Sequence, residues 1–225
     1  MEIILASERG FCFGVRRAID LAEKAVSEQG TLESLGAIVH NRQVVDLLAS
    51  RGMRIIDSLR NMKGDTLLIP SHGVEQEVMS QAEENNLNVI DATCPIVRKA
   101  QEVAHRLYEE GFTVIVFGDA SHTEVKGLLS RAGEDAIATT TVPSLDNFTR
   151  RIGILSQTTQ SQTQFATFVS ELINSRLGSL AETRIFNTIC DATSKRQKAA
   201  LQLASEVDLM LVIGGHDSAN TGHLA

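Results

Sequence analysis

The order of apolar and polar residues along the chain predicts strands and helices in alternation. Short apolar runs have the length of buried strands, and longer segments show the three-to-four-residue spacing of a helix face. The predicted strands are Glu2 to Ala6, Leu35 to Val39, Met53 to Ile56, Thr66 to Ile69, Thr113 to Phe117, Ile152 to Leu155 and Leu209 to Ile213. The predicted helices begin at Cys12, near Gln43, at Pro95, near Thr163 and after Cys190. This alternation is typical of an α/β fold with parallel sheets.

The chain contains a threefold repeat. Each copy has a cysteine, a glycine 24 residues later and a small anion-binding side chain four residues beyond: Cys12, Gly36 and His40; Cys94, Gly118 and His122; Cys190, Gly214 and Ser218. The segments C-F-G-V-R-R-A and C-P-I-V-R-K-A that begin the first two copies are alike, and the third copy is looser. The repeat predicts three small α/β units, each offering one thiolate and one anion-binding side chain.

Repeat spacing also predicts the unit boundaries, at residues 13–94, 95–188 and 189–225. A second anion-type position recurs at Ser71-His72-Gly73 and Ser156-Gln157-Thr158, where a strand is predicted to end and a helix to begin. Backbone N–H groups at such a junction suit phosphate. The third equivalent would fall near residue 250, about 60 residues beyond Cys190, so the third unit is expected to be incomplete.

Composition narrows the possible partners and the compartment. A chain of 225 residues with 43% apolar residues can bury a sizeable core. The net charge of -7 disfavours nucleic acid and anionic membrane as partners. No apolar run has the length of a membrane span, and the N-terminus lacks the pattern of a signal peptide, so a cytoplasmic protein is expected. An odd number of cysteines in that compartment favours metal ligation or redox chemistry.

The motifs of the chain resemble those of the 4-hydroxy-3-methylbut-2-enyl diphosphate reductases of the non-mevalonate isoprenoid pathway. The matching segments are R-G-F-C-F-G-V, V-H-N at 39–41, S-H-G-V at 71–74, D-A-T-C-P at 91–95, H-T-E-V at 122–125, Q-T-T at 157–159 and T-I-C-D-A-T at 188–193. They extend over nearly the whole chain in this order. The combination is therefore highly specific.

The resemblance implies three α/β units around a central 4Fe-4S cluster, with the N-terminal strand within residues 1–12 joining the third unit. Cys12, Cys94 and Cys190 would each hold one iron, and the fourth iron would have no cysteine. The implied reaction is a reductive dehydroxylation. The allylic hydroxyl of the diphosphate substrate binds the open iron, two electrons and two protons arrive, water leaves, and isopentenyl and dimethylallyl diphosphate form.

The same resemblance assigns roles to individual residues. Glu124 would deliver the proton to the leaving hydroxyl. The diphosphate would be held by His40, His72, His122, Thr158, Ser218, Ala219 and Asn220. Ala219 stands where the family commonly has a second serine, so only its backbone N–H remains for binding. The family also has a further diphosphate-binding serine and a closing C-terminal segment beyond the equivalent of residue 225.

The electrons are expected from an external carrier, a ferredoxin or a flavodoxin. With 4% aromatic residues, no tryptophan and no dinucleotide fingerprint, the sequence gives no indication of a bound flavin or nicotinamide.

Several alternatives stay open at this point. Three thiolates and one histidine could form a structural zinc site, although the cysteines are 82 and 96 residues apart and no close C-x2-C pair exists. Ser218 and Asn220 could cap a helix, and Glu124 could be a first-turn acid. His105, His216 and His223 lie outside the repeat positions and are interpreted as ordinary surface or core residues. A shortened, non-catalytic relative that binds cluster or diphosphate is the alternative function.

Overall fold

A computed structural model describes residues 2–144 and 150–225. Met1, within the segment predicted to join the third unit, and residues 145–149, within the predicted second unit, lie outside the described residues.

The first unit is a parallel four-stranded sheet with helices. Its elements are α1 (Phe13–Gln29), β1 (Leu32–Leu35), α2 (Arg42–Ser50), β2 (Met53–Ile56), a 3-10 helix (Leu59–Asn61), β3 (Thr66–Ile69), α3 (Gln76–Glu84) and β4 (Asn88–Asp91). The strand order is β2-β1-β3-β4, and every pair is parallel. Gly30 ends α1 in a left-handed conformation, with its N–H donated to the Val26 carbonyl.

The second unit repeats this topology. Its elements are α4 (Pro95–Glu109), β5 (Thr113–Phe117), α5 (Thr123–Leu129), β6 (Ile137–Thr139), β7 (Arg151–Ser156), α6 (Gln162–Arg176), a 3-10 helix (Leu177–Ser179) and β8 (Glu182–Phe186). The order β6-β5-β7-β8 is that of the first sheet, again with all pairs parallel. The predicted α/β class with parallel sheets is confirmed.

The third unit contributes helices α7 (Asp191–Ala204) and α8 (Ala219–Gly222), and no strand of it is present among the described residues. The predicted strands Glu2 to Ala6 and Leu209 to Ile213 are therefore wrong. Both segments lie outside the sheets, with Ile3 77% and Ile213 92% exposed. A strand is stable only when neighbours complete its backbone hydrogen bonds, and neither segment pairs with a neighbour here.

Strand β1 also differs from the prediction, because it ends at Leu35 and the predicted Leu35 to Val39 is mostly loop. Gly36 has φ 80, in the left-handed region, and turns the chain out of the sheet. Its N–H still donates to the Ile56 carbonyl at the end of β2. The turn carries residues 37–40 across the end of the sheet.

The two recurring strand-end motifs lie in loops, not at helix starts. Ser71 follows β3, but α3 begins only at Gln76; Ser156 ends β7, but α6 begins only at Gln162. The expectation that a helix N-terminus directly follows each motif is therefore wrong. The other predicted strands and helices are present. Helix α3 is the helix expected after Ser71-His72-Gly73, although it begins later, and α5 and α8 were considered only as alternatives at Glu124 and Ser218. Strands β4, β6 and β8 were not predicted.

Each sheet is buried because helices cover it. The central strands β3 and β5 are buried at every residue, as parallel strands between helix layers require. Helix α4 packs on β7 at Gly153, where Leu107 occupies the space that a side chain would need. Within the described ranges, no helix is both long and apolar enough to cross a membrane.

We expect Gly153→Ala to destabilise the fold. The added Cβ would lie 2.7 Å from two carbons of Leu107, which is itself 1% exposed and cannot move into solvent. Overpacking of this kind costs about 1 to 3 kcal/mol, measurable as a lower free energy of unfolding in urea. Gly178→Ala is the control, since no atom lies within 4 Å of its added Cβ. Equal stability of the two variants would contradict this account of the packing.

Candidate functional site

All three cysteines occupy the same structural position, the residue that precedes a helix. Cys12 occupies the N-cap position of α1, Cys94 that of α4 and Cys190 that of α7, and all three side chains are half-buried. The first N–H groups of a helix have no partner within the helix and favour negative charge. The three thiols thus occupy equivalent positions beside free backbone N–H groups.

Backbone hydrogen bonds connect two of the cysteines to loops at the ends of strands. The Cys94 N–H donates to the Ser71 carbonyl, and the Cys190 N–H donates to the Thr158 carbonyl, both at 2.9 Å. The acceptors belong to the two recurring loops that follow β3 and β7. The two hydrogen bonds thus fix the positions of Cys94 and Cys190 relative to these loops.

Two arginines form hydrogen bonds with the loops that precede Cys94 and Cys12. Arg17 of α1 donates to the carbonyls of Thr93 and Asp91 at 3.2 and 3.3 Å, just before Cys94. Arg196 of α7 donates to the Gly10 carbonyl at 3.1 Å, just before Cys12. Helix α1 therefore holds the loop before Cys94, and helix α7 holds the loop before Cys12.

The three thiols converge. A Cβ at Gly14 would lie 2.5 Å from the Cys94 Sγ and 4.0 Å from the Cys12 Sγ, so the missing side chain leaves room between two sulfurs. Burial raises the pKa of the Cys94 thiol, backbone N–H groups of Ile96 and Val97 oppose the rise, and the charges of Cys12 and Cys190 add to it. A bound cation would compensate this mutual repulsion.

The sulfurs are not gathered for a single metal ion. Among the described residues, no three His, Cys, Asp or Glu side chains are placed to hold one ion. A structural zinc site needs four donors about 2 Å from one point, whereas a cluster of several irons places each thiolate on a different iron. Three separate thiols around the space left by Gly14 fit the second kind of group.

The histidines of the first two units form a compact group. The rings of His40 and His72 stack with centroids 5.5 Å apart, and the ring of His122 lies 5.8 Å from that of His40. His122 caps α5, and His40 precedes Asn41, which caps α2. The repeat thus brings together three imidazoles from equivalent helix starts and from the loop after β3.

Hydrogen bonds fix the tautomer of two of these rings, so that Nε2 is a donor in neutral His122 but becomes one in His72 only when that ring is protonated. The Glu124 N–H donates to the His122 Nδ1 at 3.1 Å, so the neutral ring carries its proton on Nε2. The His72 Nδ1 lies 2.9 Å from the Gly73 carbonyl, to which it can only donate. The His40 Nε2 is buried without a hydrogen-bond partner in the described part of the chain. A buried polar atom of this kind indicates a binding position.

Burial keeps the imidazoles neutral. It lowers the pKa of His40 and His122, and it lowers that of His72 to about 4. The other two rings further lower the pKa of His72, because a charge on one disfavours a charge on its neighbour. An anion would reverse this balance, since it stabilises the protonated form of each ring.

Glu124 is a buried acid bound to Thr158. It is 2% exposed; one carboxyl oxygen accepts from the Thr158 N–H at 2.6 Å, and the other lies 2.8 Å from the Thr158 Oγ1. Burial raises the pKa of Glu124 to about 7, while the two bonds to Thr158 oppose the rise. The carboxyl is therefore about half protonated at neutral pH and can give or take a proton.

The third unit approaches the same place through its last loop. The backbone at Gly215 lies so close to His40 that a Cβ there would be 1.9 Å from the His40 carbonyl oxygen. Ser218 caps α8, accepting from the Thr221 N–H at 3.4 Å. The side-chain oxygen of Asn220 accepts from the Thr193 hydroxyl at 3.1 Å, which leaves the amide N–H groups of Asn220 as donors.

The structure adds three residues that the sequence reasoning had missed. Thr193 is buried near the start of α7 and orients Asn220. Gln157 and His223 line a cleft of about 790 Å³ together with His122 and Ala219. The position of Thr193, three residues after Cys190, was a signal in the sequence, but no short spacing relates His223 to the repeat. His105 and His216 are exposed and pair with Glu109 and Asp217.

The family model described as LytB protein matches residues 3–225. The chain is 48% identical to the 4-hydroxy-3-methylbut-2-enyl diphosphate reductase of Dehalococcoides mccartyi (strain CBDB1), over 100% of this chain and 80% of the relative. It is 46% identical to the protein of the same name in Geobacter metallireducens, over 100% of this chain and 79% of that one.

Two solved structures are similar over almost the whole chain. The structure of (E)-4-hydroxy-3-methyl-but-2-enyl diphosphate reductase, the terminal enzyme of the non-mevalonate pathway, has a TM-score of 0.76 at 39% identity and covers 99% of this chain and 80% of its own. The E-1-hydroxy-2-methyl-but-2-enyl-4-diphosphate reductase from Plasmodium falciparum has a TM-score of 0.89 at 30% identity and covers 97% and 70%.

We expect Thr158→Val to raise the pKa of Glu124 above its parent value of about 7. The variant loses the hydroxyl that stabilises the carboxylate, whereas burial, which favours the neutral acid, is unchanged. Infrared titration of the protonated carboxyl C=O band would measure the shift, with Glu124→Gln identifying the band. Thr159→Val is the control, because Thr159 bonds to Gln157 instead. A midpoint that does not move in Thr158→Val would contradict the role of this bond.

Proposed function

The chain belongs to the LytB protein family, and from this we propose that it is an oxidoreductase that reduces 4-hydroxy-3-methylbut-2-enyl diphosphate to isopentenyl and dimethylallyl diphosphate. The relatives reported above are all named as reductases of this diphosphate, which favours the enzyme over a non-catalytic relative. The observation that most directly supports the chemistry is the buried Glu124–Thr158 pair, whose loop also accepts the Cys190 N–H.

Proteins of this family use an iron-sulfur cluster. The proposal here is a 4Fe-4S cluster held by Cys12, Cys94 and Cys190, with one iron free of cysteine. Three converging thiols at helix starts, with room at Gly14, fit that group. When bound, such a cluster supplies electrons and a Lewis-acidic position for the substrate hydroxyl.

The remaining chemistry falls to Glu124. Hydroxide is a poor leaving group, so the oxygen must receive a proton as the C–O bond breaks. A carboxyl with a pKa of about 7 is protonated often enough to donate and is a strong enough acid to do so readily. The two bonds from Thr158 hold the carboxyl in one orientation. Two electrons and two protons enter per turnover, and water leaves.

The diphosphate is proposed to bind His40, His72, His122, Thr158, Ser218, Asn220 and the backbone N–H of Ala219. The supporting observations are the three neighbouring rings, the unpartnered His40 Nε2 and the close approach of the Gly215 loop to His40. The Ser218 hydroxyl caps α8 weakly and can still donate its own proton. Local donors thus allow an acidic protein to bind an anion.

The electrons are proposed to come from a ferredoxin or a flavodoxin, and the protein is proposed to work in the cytoplasm. Three units are also proposed, at residues 13–94, 95–188 and 189–225 with 1–12. The two sheets of equal strand order support the first two, and the Arg196–Gly10 bond supports the association of the N-terminal segment with the third.

The function is tested by anaerobic reconstitution with iron and sulfide, followed by turnover with a chemical reductant. We expect the parent protein to consume the substrate, and we expect Glu124→Gln to retain the cluster and bind substrate with kcat lower by about 10²- to 10⁴-fold, because proton delivery is removed. Product formation would be followed by chromatography of the two five-carbon diphosphates.

Cys94→Ser is the companion variant. It should lose iron and activity together, whereas Glu124→Gln should lose activity alone. A parent protein that binds a full cluster without turnover would sink the proposed function. Glu124→Gln turning over at the parent rate would remove Glu124 from the mechanism.

Anion binding should take up protons, because His72, with a pKa of about 4, is neutral at pH 7 when free and an anion favours its protonated form. Affinity for inorganic diphosphate should therefore fall as pH rises. Calorimetry in buffers of different ionisation enthalpy measures the proton uptake, and His72→Gln should reduce it. His105→Gln, at an exposed histidine of α4, is the control. Equal uptake in both variants would exclude His72 from the anion site.

A further inference from the structure

Each helix that begins at a cysteine carries two basic residues within its first two turns. The pairs are Arg16 and Arg17 in α1, Arg98 and Lys99 in α4, and Lys195 and Arg196 in α7. The first six residues of the three helices contain these six cations and a single acid, Asp191. The whole chain, by contrast, has 21 Lys and Arg and 28 Asp and Glu. The basic charge is thus concentrated where the thiols are.

Helix stability does not account for this concentration. The N-terminal end of a helix is its positive end, so acids stabilise the first turn and cations destabilise it. Neither α1 nor α4 has an acid in its first turn. The basic pairs begin at the fourth or fifth residue of each helix, where the effect of the dipole has faded, so helix stability gives no reason for their position.

One member of two pairs points inward. Arg17 and Arg196 donate to backbone carbonyls of the cysteine loops, as described above. These two arginines hold the loops in place.

The remaining cations point outward. The side chains of Arg98 and Lys195 are 47% and 59% exposed, and Lys99 is exposed as well. Arg98 pairs with Asp91, and Lys195 pairs with Asp191, each at 2.8 Å. Lys195 also lies near Glu8.

Lys99 has no ion-pair partner in the part of the chain that the structure describes. Arg16 uses one nitrogen to bond the Phe11 carbonyl and is otherwise exposed. Positive charge that no ion pair neutralises therefore remains at the surface of this region.

Large apolar side chains are exposed beside these cations. Phe13 is 73% exposed, Ile96 41% and Phe11 40%, and each lies within two residues of Cys12 or Cys94. Exposed apolar residues with a charged rim are typical of a protein-binding surface.

Contacts link the basic residues of the three helices. Arg17 donates to the carbonyl of Asp91, whose carboxylate pairs with Arg98. Arg196 donates to the carbonyl of Gly10, and Lys195 lies near Glu8, in the segment that leads to Phe11 and Cys12.

A helix rises about 1.5 Å per residue, so its fifth residue lies about 8 Å along the axis from the capping cysteine. Lys99 and Lys195 are both fifth residues of their helices. A partner that contacts them comes close to the thiols.

We propose that this surface, the exposed residues Arg16, Arg98, Lys99, Lys195, Phe11, Phe13 and Ile96, is the docking face for an acidic one-electron carrier protein. The inference rests on the proposed function, which needs two electrons from outside for each C–O bond broken. Two reduced carriers would dock in turn, and each would be oxidised by one electron. Complementary charge would draw the carrier to the face and orient it towards the thiols.

The test uses the reconstituted protein and an acidic two-iron ferredoxin. In the double variant Lys99→Glu/Lys195→Glu, we expect the Kd for ferredoxin at low salt, measured by biolayer interferometry, to rise about tenfold or more, because attraction is replaced by repulsion. The dependence of Kd on salt concentration should weaken in parallel. Turnover with a chemical reductant should change less than twofold, because neither lysine belongs to the proposed site.

The matched control is Lys24→Glu/Arg60→Glu, which changes the net charge equally. Lys24 forms an exposed i,i+4 pair with Glu28, as Lys195 does with Asp191, and Arg60 is exposed in the 3-10 helix of the first unit. A control that weakens ferredoxin binding as much as the test variant would overturn the docking face. A parent protein that does not bind ferredoxin would overturn it too. Failure of turnover with the chemical reductant would count against the proposed function alone, since binding is measured separately.

Discussion

The site depends on two backbone hydrogen bonds that hold cysteines against strand-end loops. The N–H groups of Cys94 and Cys190 donate to the carbonyls of Ser71 and Thr158, which lie in the loops after β3 and β7. Each bond fixes a thiol relative to a loop that also carries His72 or binds Glu124. Each hydrogen bond thus sets the position of a cysteine that is proposed to bind iron. It also sets the position of a loop, which carries the anion-binding His72 in one case and binds the acid Glu124 in the other. A shift of either loop would move both kinds of group.

Much of the fold could be predicted because the sequence repeats it. The apolar runs predict β2, β3, β5 and β7, and the cysteine spacing relates α1, α4 and α7. Short elements with few apolar residues, such as β4 and β6, carried too weak a pattern. The strands predicted for the third unit are absent for a different reason, because its apolar segments have strand composition but pair with no neighbour. Composition indicates that a segment can form a strand, and hydrogen bonding with a neighbouring strand decides whether it does.

The site was predictable in its residue types but not in its energetics. Spacing identified the cysteines, His40, His122 and the two recurring segments that contain His72 and Thr158. The resemblance supplied Glu124. The sequence could not tell that Glu124 would be 2% exposed with a pKa of about 7, because that follows from packing between α5 and the loop after β7. The position of Thr193, three residues after Cys190, was visible in the sequence, but the contact of its hydroxyl with Asn220, 27 residues away, was not.

The hydrogen bond between Arg196 and the Gly10 carbonyl joins residues 186 positions apart and connects the N-terminal segment to the third unit. Contacts of such long sequence separation form late in folding, because most of the chain must be ordered before the closure entropy is recovered. The two sheets, built from nearer neighbours, can form first. The thiols would then converge only in the last folding step, and loading of the cluster would be coupled to completion of the fold.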